Sequence, residues 1–249
     1  MANNFQKIST NILILAAGKG QNQNGERDYP LCLTEIGEGS LLERIVYNTK
    51  SIAHSQLAFT FLNNEATQFH LEKIVKLLAP SALCKMVPEQ TQGSACTALL
   101  VACQLDQDAE LLIISANELV DMDLGEAISD FRKKSFDAGT LIFHSVHPRY
   151  SFVALNDEKF VIEAAQRQPI SANATAGIFW FSKTRDFVEG AKSLIRKDAH
   201  LDGSYFVAPT FNELILKQKK VGVFAIPFGK YFPLKTEQQI DRSESAKNL

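Results

Sequence analysis

The run NILILAA at positions 11–17 is almost unbroken in apolar character and stops at Gly18-Lys19-Gly20. A strand buried on both faces and feeding a glycine turn has this pattern, because neither face offers a place for polar residues. Ser40 is followed by LLERIVYNTKSIA, whose leucines, Ile45, Val46 and Ile52 recur at helical spacing. Glu43, three residues after Ser40, completes a capping box. The alternation continues with LAFTFLN (57–63) as a strand, EATQFHLEKIVKLLA (65–79) as one helix ended by Pro80, and LCKMV (83–87) as a strand. SACTALLVACQL (94–105) then reads as a helix and ELLIISA (110–116) as the next apolar strand. Strands alternating with helices predict a parallel sheet covered on both faces, since a parallel connection must cross over and a helix is the usual crossover.

After the helix DLGEAISDFRKKS (123–135) the texture changes. AGTLIFHSV (138–146), SFVAL (151–155), FVIEAA (160–165) and ATAGIFWF (174–181) follow closely, separated by turn residues such as Asn156-Asp157 and Pro169. This predicts a mixed or antiparallel region. Helices around DFVEGAKSLIRK (186–197) and FVAPTFNELILKQ (206–218), a strand VGVFAIP (221–227) and a frayed polar tail at 241–249 complete the pattern. With no Pro-, Gly- or Ser-rich linker and no internal repeat, residues 1–249 read as one three-layer α/β/α domain. Its sheet is expected to be mostly parallel and Rossmann-like, with antiparallel strands in the second half.

Composition narrows the setting. Hydrophobic residues at 45% and charged residues at 22% are near the averages of soluble globular proteins, and no apolar run reaches the roughly 20 residues of a membrane span. A net charge of -2, from 26 basic and 28 acidic residues spread along the chain, argues against a nucleic-acid partner. MANNFQKIST lacks the features of a secretory signal, so a cytoplasmic location is expected. Cys32, Cys84, Cys96 and Cys103 form no CxxC pair; Cys96 and Cys103 are expected to pack as small hydrophobes, and nothing near Cys32 marks an activated thiol.

Ligands of an open parallel sheet lie outside the carboxyl ends of its strands, which directs attention to residues 18–28 and 115–121. Gly18 and Gly20 allow backbone N–H groups to approach a phosphate, although a tight turn needs glycine for conformational reasons alone. The segments LAAGKG, YPLCLTEIGEGSLLERIV, TQGSACTALL, HPRYSFVALND and ISANATAGIFWF occur in that order. Together, from Ile12 to about Ile240, they resemble the nucleotidyltransferases acting on sugar 1-phosphates, those of capsule and surface-polysaccharide biosynthesis above all.

The resemblance implies attack of a sugar phosphate oxygen on the α-phosphate of a nucleoside triphosphate, giving a nucleotide sugar and pyrophosphate, with Mg²⁺ as cofactor in an active enzyme. It implies a nucleotide-binding half at about 10–122, with Ala17, Gly18, Gly20, Gln92, Gly93 and Ser94. It implies a sugar-binding half at about 123–240, with Ser151, Gln166, Arg167, Thr175, Ala176 and Gly177. Nucleoside triphosphate or nucleotide sugar and sugar phosphate are the partners it implies, with a homodimer left open.

Several charged positions of the pattern are replaced. The Arg and Lys of LAAGxGxR and PK fall on Asn22 and Leu31, with Arg27 or Lys19 as candidate substitutes from the same loop. The metal-binding aspartate after the fourth strand falls on Asn117, with Glu118 or Asp121 able to restore charge from a shifted place. The EK pair falls on Gln166-Arg167, and the LGTPEDL-like stretch on PLKTEQQI. Losing one preorganised charge stabiliser costs on the order of 2.7–4 kcal/mol of barrier, so weak or lost catalysis is expected. The alternatives are a non-catalytic nucleotide or nucleotide-sugar binder, or a homologue that regulates a partner. A glycosyltransferase using Asp121-Met122-Asp123 is a third.

Blander readings stand beside these. Gln92-Gly93-Ser94 suits a base contact or an ordinary helix N-terminus, and Gly177 a sugar pocket or a bulge. His144 and His147 lack a third ligand at metal spacing and read as exposed or structural. Trp180 reads as core, and Lys217 to Lys220 as a solvated helix end.

Overall fold

Every residue of the first strand, β1 (Thr10–Leu15), is buried, as its apolar run requires. It belongs to a computed structural model that describes residues 9–18, 29–89, 91–227 and 229–234. A 3₁₀ turn (Leu31–Leu33), β2 (Glu35–Ile36), β3 (Gly39–Ser40) and α1 (Leu41–Tyr47) follow, then β4 (His54–Leu62), α2 (Asn63–Gln68), α3 (Leu71–Leu78) and β5 (Leu83–Val87). α4 (Ser94–Ala102), β6 (Glu110–Ser115) and β7 (Glu118–Val120) complete the first half. The second half runs α5 (Leu124–Lys133), β8 (Ala138–His144), β9 (Ser151–Leu155), β10 (Val161–Gln166) and β11 (Asn173–Phe181). It ends with α6 (Thr184–Arg196), α7 (Thr210–Ile215), β12 (Val221–Ala225) and β13 (Tyr231–Pro233).

One sheet of nine strands passes through both halves. β5, β4, β1 and β6 are parallel neighbours, and β11 lies antiparallel on the far side of β6. β8 and β9 pair with β11, β10 extends β9 antiparallel, and β12 runs parallel to β8. Alternate residues go to opposite faces. Ile12, Ile14, Leu112, Ile114 and Trp180 pack under α1, α3 and α5, whereas Leu13, Leu15, Leu111, Ile113, Phe179 and Phe181 pack under α4, α6 and α7. This is the expected α/β/α layering, with parallel strands in the first half and antiparallel pairs in the second. Ser40 and Glu43 form the expected capping box on α1.

Other expectations are corrected. The helix anticipated over 65–79 breaks at His70, whose backbone is left-handed (φ 52°), so α2 and α3 are separate. Only Thr210–Ile215 of 206–218 is helical, after Pro209 at its N-cap. The helix beginning at Ser94 ends at Ala102, which leaves Cys103 exposed, while Cys96 is half-buried against a small core cluster. Lys219 is no free solvated end: it pairs with Asp186 at 2.8 Å and Asp137 at 3.4 Å. Trp180 is core, and His144 and His147 are exposed. The tail at 241–249 lies outside the described residues. Among the described residues no helix is long and apolar enough to cross a membrane.

Candidate functional site

The carboxyl ends of β1 and β6 open onto two adjoining cavities. The first, about 250 Å³, is walled by Ala16, Ala17 and Gly18 after β1, by Thr91, Gly93 and Thr97 around the start of α4, and by Glu89. The second, about 150 Å³, is walled by Glu118, Arg149, Ser151, Gln166, Thr175 and Gly177, with Phe206, Val207 and Ala208 closing one side. Ser94, Ser115 and Asn117 line both. Each alone is smaller than the roughly 300–1,000 Å³ of a drug-sized ligand site, and joined they enter that range.

Two glycines shape these walls. Gly93 has φ 94°, and a β-carbon there would lie 2.3 Å from the Tyr205 carbonyl oxygen; the Tyr205 N–H donates to the Gln92 carbonyl at 2.8 Å. Only glycine permits this close approach of two backbones 112 residues apart. Gly93 is also the N-cap of α4, and Gln92 itself lines neither cavity. Gly177, φ 68°, sits where the β11–β8 register shifts between Thr175 and Phe179, and a β-carbon there would come within 3.0 Å of Ser115 Cβ and 3.3 Å of Glu118 Oε2. It is both bulge and pocket wall. Strand alternation puts Thr175 and Gly177 on that wall and Ala176 in the opposite core.

The charged and polar groups are arranged unevenly. Asn117 Oδ1 is buried at the shared wall without a hydrogen-bond partner among the described residues. Glu118 accepts from the Tyr231 hydroxyl at 2.9 Å, an arrangement made by the antiparallel pairing of β13 with β7. Burial, then the charge of Glu118, holds the Tyr231 phenol well above its ordinary value, so it remains a donor. Tyr231 stacks on Phe143, with ring centroids 3.8 Å apart. Ser151 donates to Gln166 across β9 and β10. Glu89, on the first cavity, accepts from Asn64 at 2.8 Å.

Some candidates lie elsewhere. Leu31 is buried in the main core and lines neither cavity. Arg167 turns outward to Asp202 at 3.6 Å. Asp121 pairs with Arg44 at 2.6 Å and Lys230 at 3.9 Å, while Asp123 caps α5 through the Gly125 N–H, so both acids of Asp121-Met122-Asp123 are held by structural partners. Cys32 is buried and its thiol is pushed up to about 12, chiefly by burial, which makes it inert at neutral pH. Lys19, Gly20, Asn22 and Arg27 lie outside the described residues. Ser115 lies in the 115–121 segment anticipated from the sequence, whereas Arg149 on the wall and Tyr231 behind Glu118 were not among the anticipated site residues. Arg149 stood inside the quoted HPRY segment, and its charge was the available signal.

Neither protein-family models nor curated proteins match the chain. Solved structures do. A nucleoside-diphosphate-sugar pyrophosphorylase from Vibrio cholerae superposes with a TM-score of 0.78 at 17% identity, over 94% of this chain and 99% of that one. A UDP-glucose pyrophosphorylase solved with UDP-glucose gives 0.76 at 13% identity, over 96% of this chain and 98% of the other. The fold is that of the sugar nucleotidyltransferases. A Bacillus anthracis protein assigned as a glucose-1-phosphate thymidylyltransferase, solved with sucrose, shares that fold at a TM-score of 0.75 and 16% identity, over 97% of this chain and 96% of that one.

On this sugar-nucleotidyltransferase fold, the described residues do not fit Mg²⁺. The ion favours octahedral sites with hard anionic oxygens. Asn117 offers a neutral amide oxygen, one oxygen of Glu118 is taken by Tyr231, Asp121 is held by Arg44, and Glu89, on the first cavity alone, accepts from Asn64.

Proposed function

We propose that the chain binds a nucleotide sugar, or separately a nucleotide and a sugar phosphate, across the joined cavities, and that nucleotidyl transfer there is weak or lost. Ala17, Gly18, Gly93 and Ser94 would receive the nucleotide; Ser151, Gln166, Thr175 and Gly177 would receive the sugar. The observation that carries this reading is Asn117 Oδ1, a buried acceptor without a partner among the described residues, at the wall common to both cavities. An amide there can take a ligand hydroxyl or N–H but is a poor anchor for a divalent cation. The two halves of a sugar nucleotide have a place, while the charge needed to stabilise a transferring phosphoryl group is thin on the described walls.

Supporting this over a glycosyltransferase, both acids of Asp121-Met122-Asp123 are held by structural partners away from the cavities. The sequence resemblance supports a role in surface-polysaccharide precursor synthesis. Calorimetric titration of a nucleotide-sugar panel with Mg²⁺ and with EDTA tests the reading, alongside pyrophosphate release from matched triphosphates and sugar phosphates. Binding is expected to be insensitive to the metal, and Asn117→Asp is expected to make it Mg²⁺-dependent. Fast Mg²⁺-dependent turnover by the wild-type chain would overturn the proposal.

A further inference from the structure

Two arginines compete to supply a cation to the sugar-side cavity, and the structure separates them. Arg167, just beyond β10, has φ 57°, and its guanidinium lies 3.6 Å from Asp202 and 6.0 Å from the centroid of Phe206, outside the cavity. Arg149 is on the wall. Its Cζ lies 4.9 Å from the Tyr150 ring centroid, and its Nε is buried without a hydrogen-bond partner among the described residues. It is the only Lys or Arg among the described residues of either wall. A buried guanidinium N–H lacking an acceptor is unfavourable, and an anionic group of a ligand would supply both the acceptor and the opposite charge.

Position narrows the kind of anion. The cavities share Ser94, Ser115 and Asn117, and a ligand crossing between them would set its phosphates at that wall. Arg149 lines the sugar side only. Glu118, by contrast, borders Ser115 and Gly177 near the shared wall, held by Tyr231. A sugar held in this cavity would therefore turn one of its own substituents toward the charge of Arg149. A guanidinium fork matches a planar carboxylate bidentately. Resting on the nucleotide-sugar reading above, we infer that the sugar-side cavity selects an acidic sugar whose carboxylate is taken by Arg149.

The test titrates glucose 1-phosphate, glucuronic acid 1-phosphate and inorganic phosphate into the full chain at constant ionic strength, for wild type, Arg149→Gln and Arg149→Lys. Wild type is expected to favour the glucuronate by about tenfold or more. Arg149→Gln abolishes the preference, and Arg149→Lys, which keeps the charge but not the fork, retains part of it. Thermal melting confirms that each variant is folded; if Arg149→Gln is not, the graded loss in Arg149→Lys decides.

Equal wild-type affinity for the two sugar phosphates overturns the inference and leaves the proposed function standing. A preference that survives Arg149→Gln also overturns it. An equal loss of both sugar phosphates and inorganic phosphate in that variant assigns Arg149 to phosphate and does the same. If neither sugar phosphate binds, the inference falls together with the sugar-site reading.

Discussion

The two cavities are built by one sheet but in opposite styles. The cavity proposed for the nucleotide is walled by backbone and small neutral side chains, with Glu89 its only charged described residue. The cavity proposed for the sugar brings a carboxylate and a guanidinium into a smaller space, the first held by Tyr231 and the second with its Nε unpaired among the described residues. Shape and charge have thus diverged. Gly18 and Gly93 line the first cavity and Gly177 the second, while the two charged side chains of the second are Glu118 and Arg149.

The largest effect is expected from Gly93→Ala, because the wall at the start of α4 serves both cavities. The new β-carbon would meet the Tyr205 backbone, and φ 94° is strained for alanine. A loss of about 3 kcal/mol is expected in urea denaturation, with both ligand classes weakened.

Tyr231→Phe acts on the sugar side and should cost about 2 kcal/mol, since Glu118 loses a donor in a buried setting. Its pH dependence has a definite sign. The folded phenol is held above its ordinary value, so the stability it contributes is complete below about pH 10 and is lost as pH rises through the folded value. Melting temperatures of wild type and variant should therefore converge above about pH 10; a constant gap would show that the phenol is not held in that way.

Gly177→Ala is expected to act on the second cavity alone. At φ 68°, with Ser115 Cβ 3.0 Å away, alanine should cost about 1–2 kcal/mol of stability. Sugar phosphate affinity should fall while nucleotide affinity holds, and an equal fall in both would mean that the cavities do not act separately.

The fold was legible where burial writes a long pattern. NILILAA and ELLIISA announced the central parallel pair because strands covered on both faces can carry no polar alternation. His70 broke an apparently continuous helix through a single left-handed residue, which side-chain periodicity does not record. β7 and β13, three residues each, are too short for any period and are specified by their mutual pairing. The site was legible as backbone, through Gly18, Gly93 and Gly177, and much less so as charge. Arg149 and Arg167 look alike in sequence, and only the left-handed turn after β10 directs one of them away.

The Tyr231–Glu118 bond spans 113 residues of chain. At roughly 5–20 residues per second of translation, the acid is made on the order of 6–23 s before its phenolic donor. A growing chain thus carries the β6–β7 turn without the strand that staples it. Maturation of that corner should trail the rest of the sheet, and chaperones or proteases that survey nascent chains would meet it while it is still incomplete.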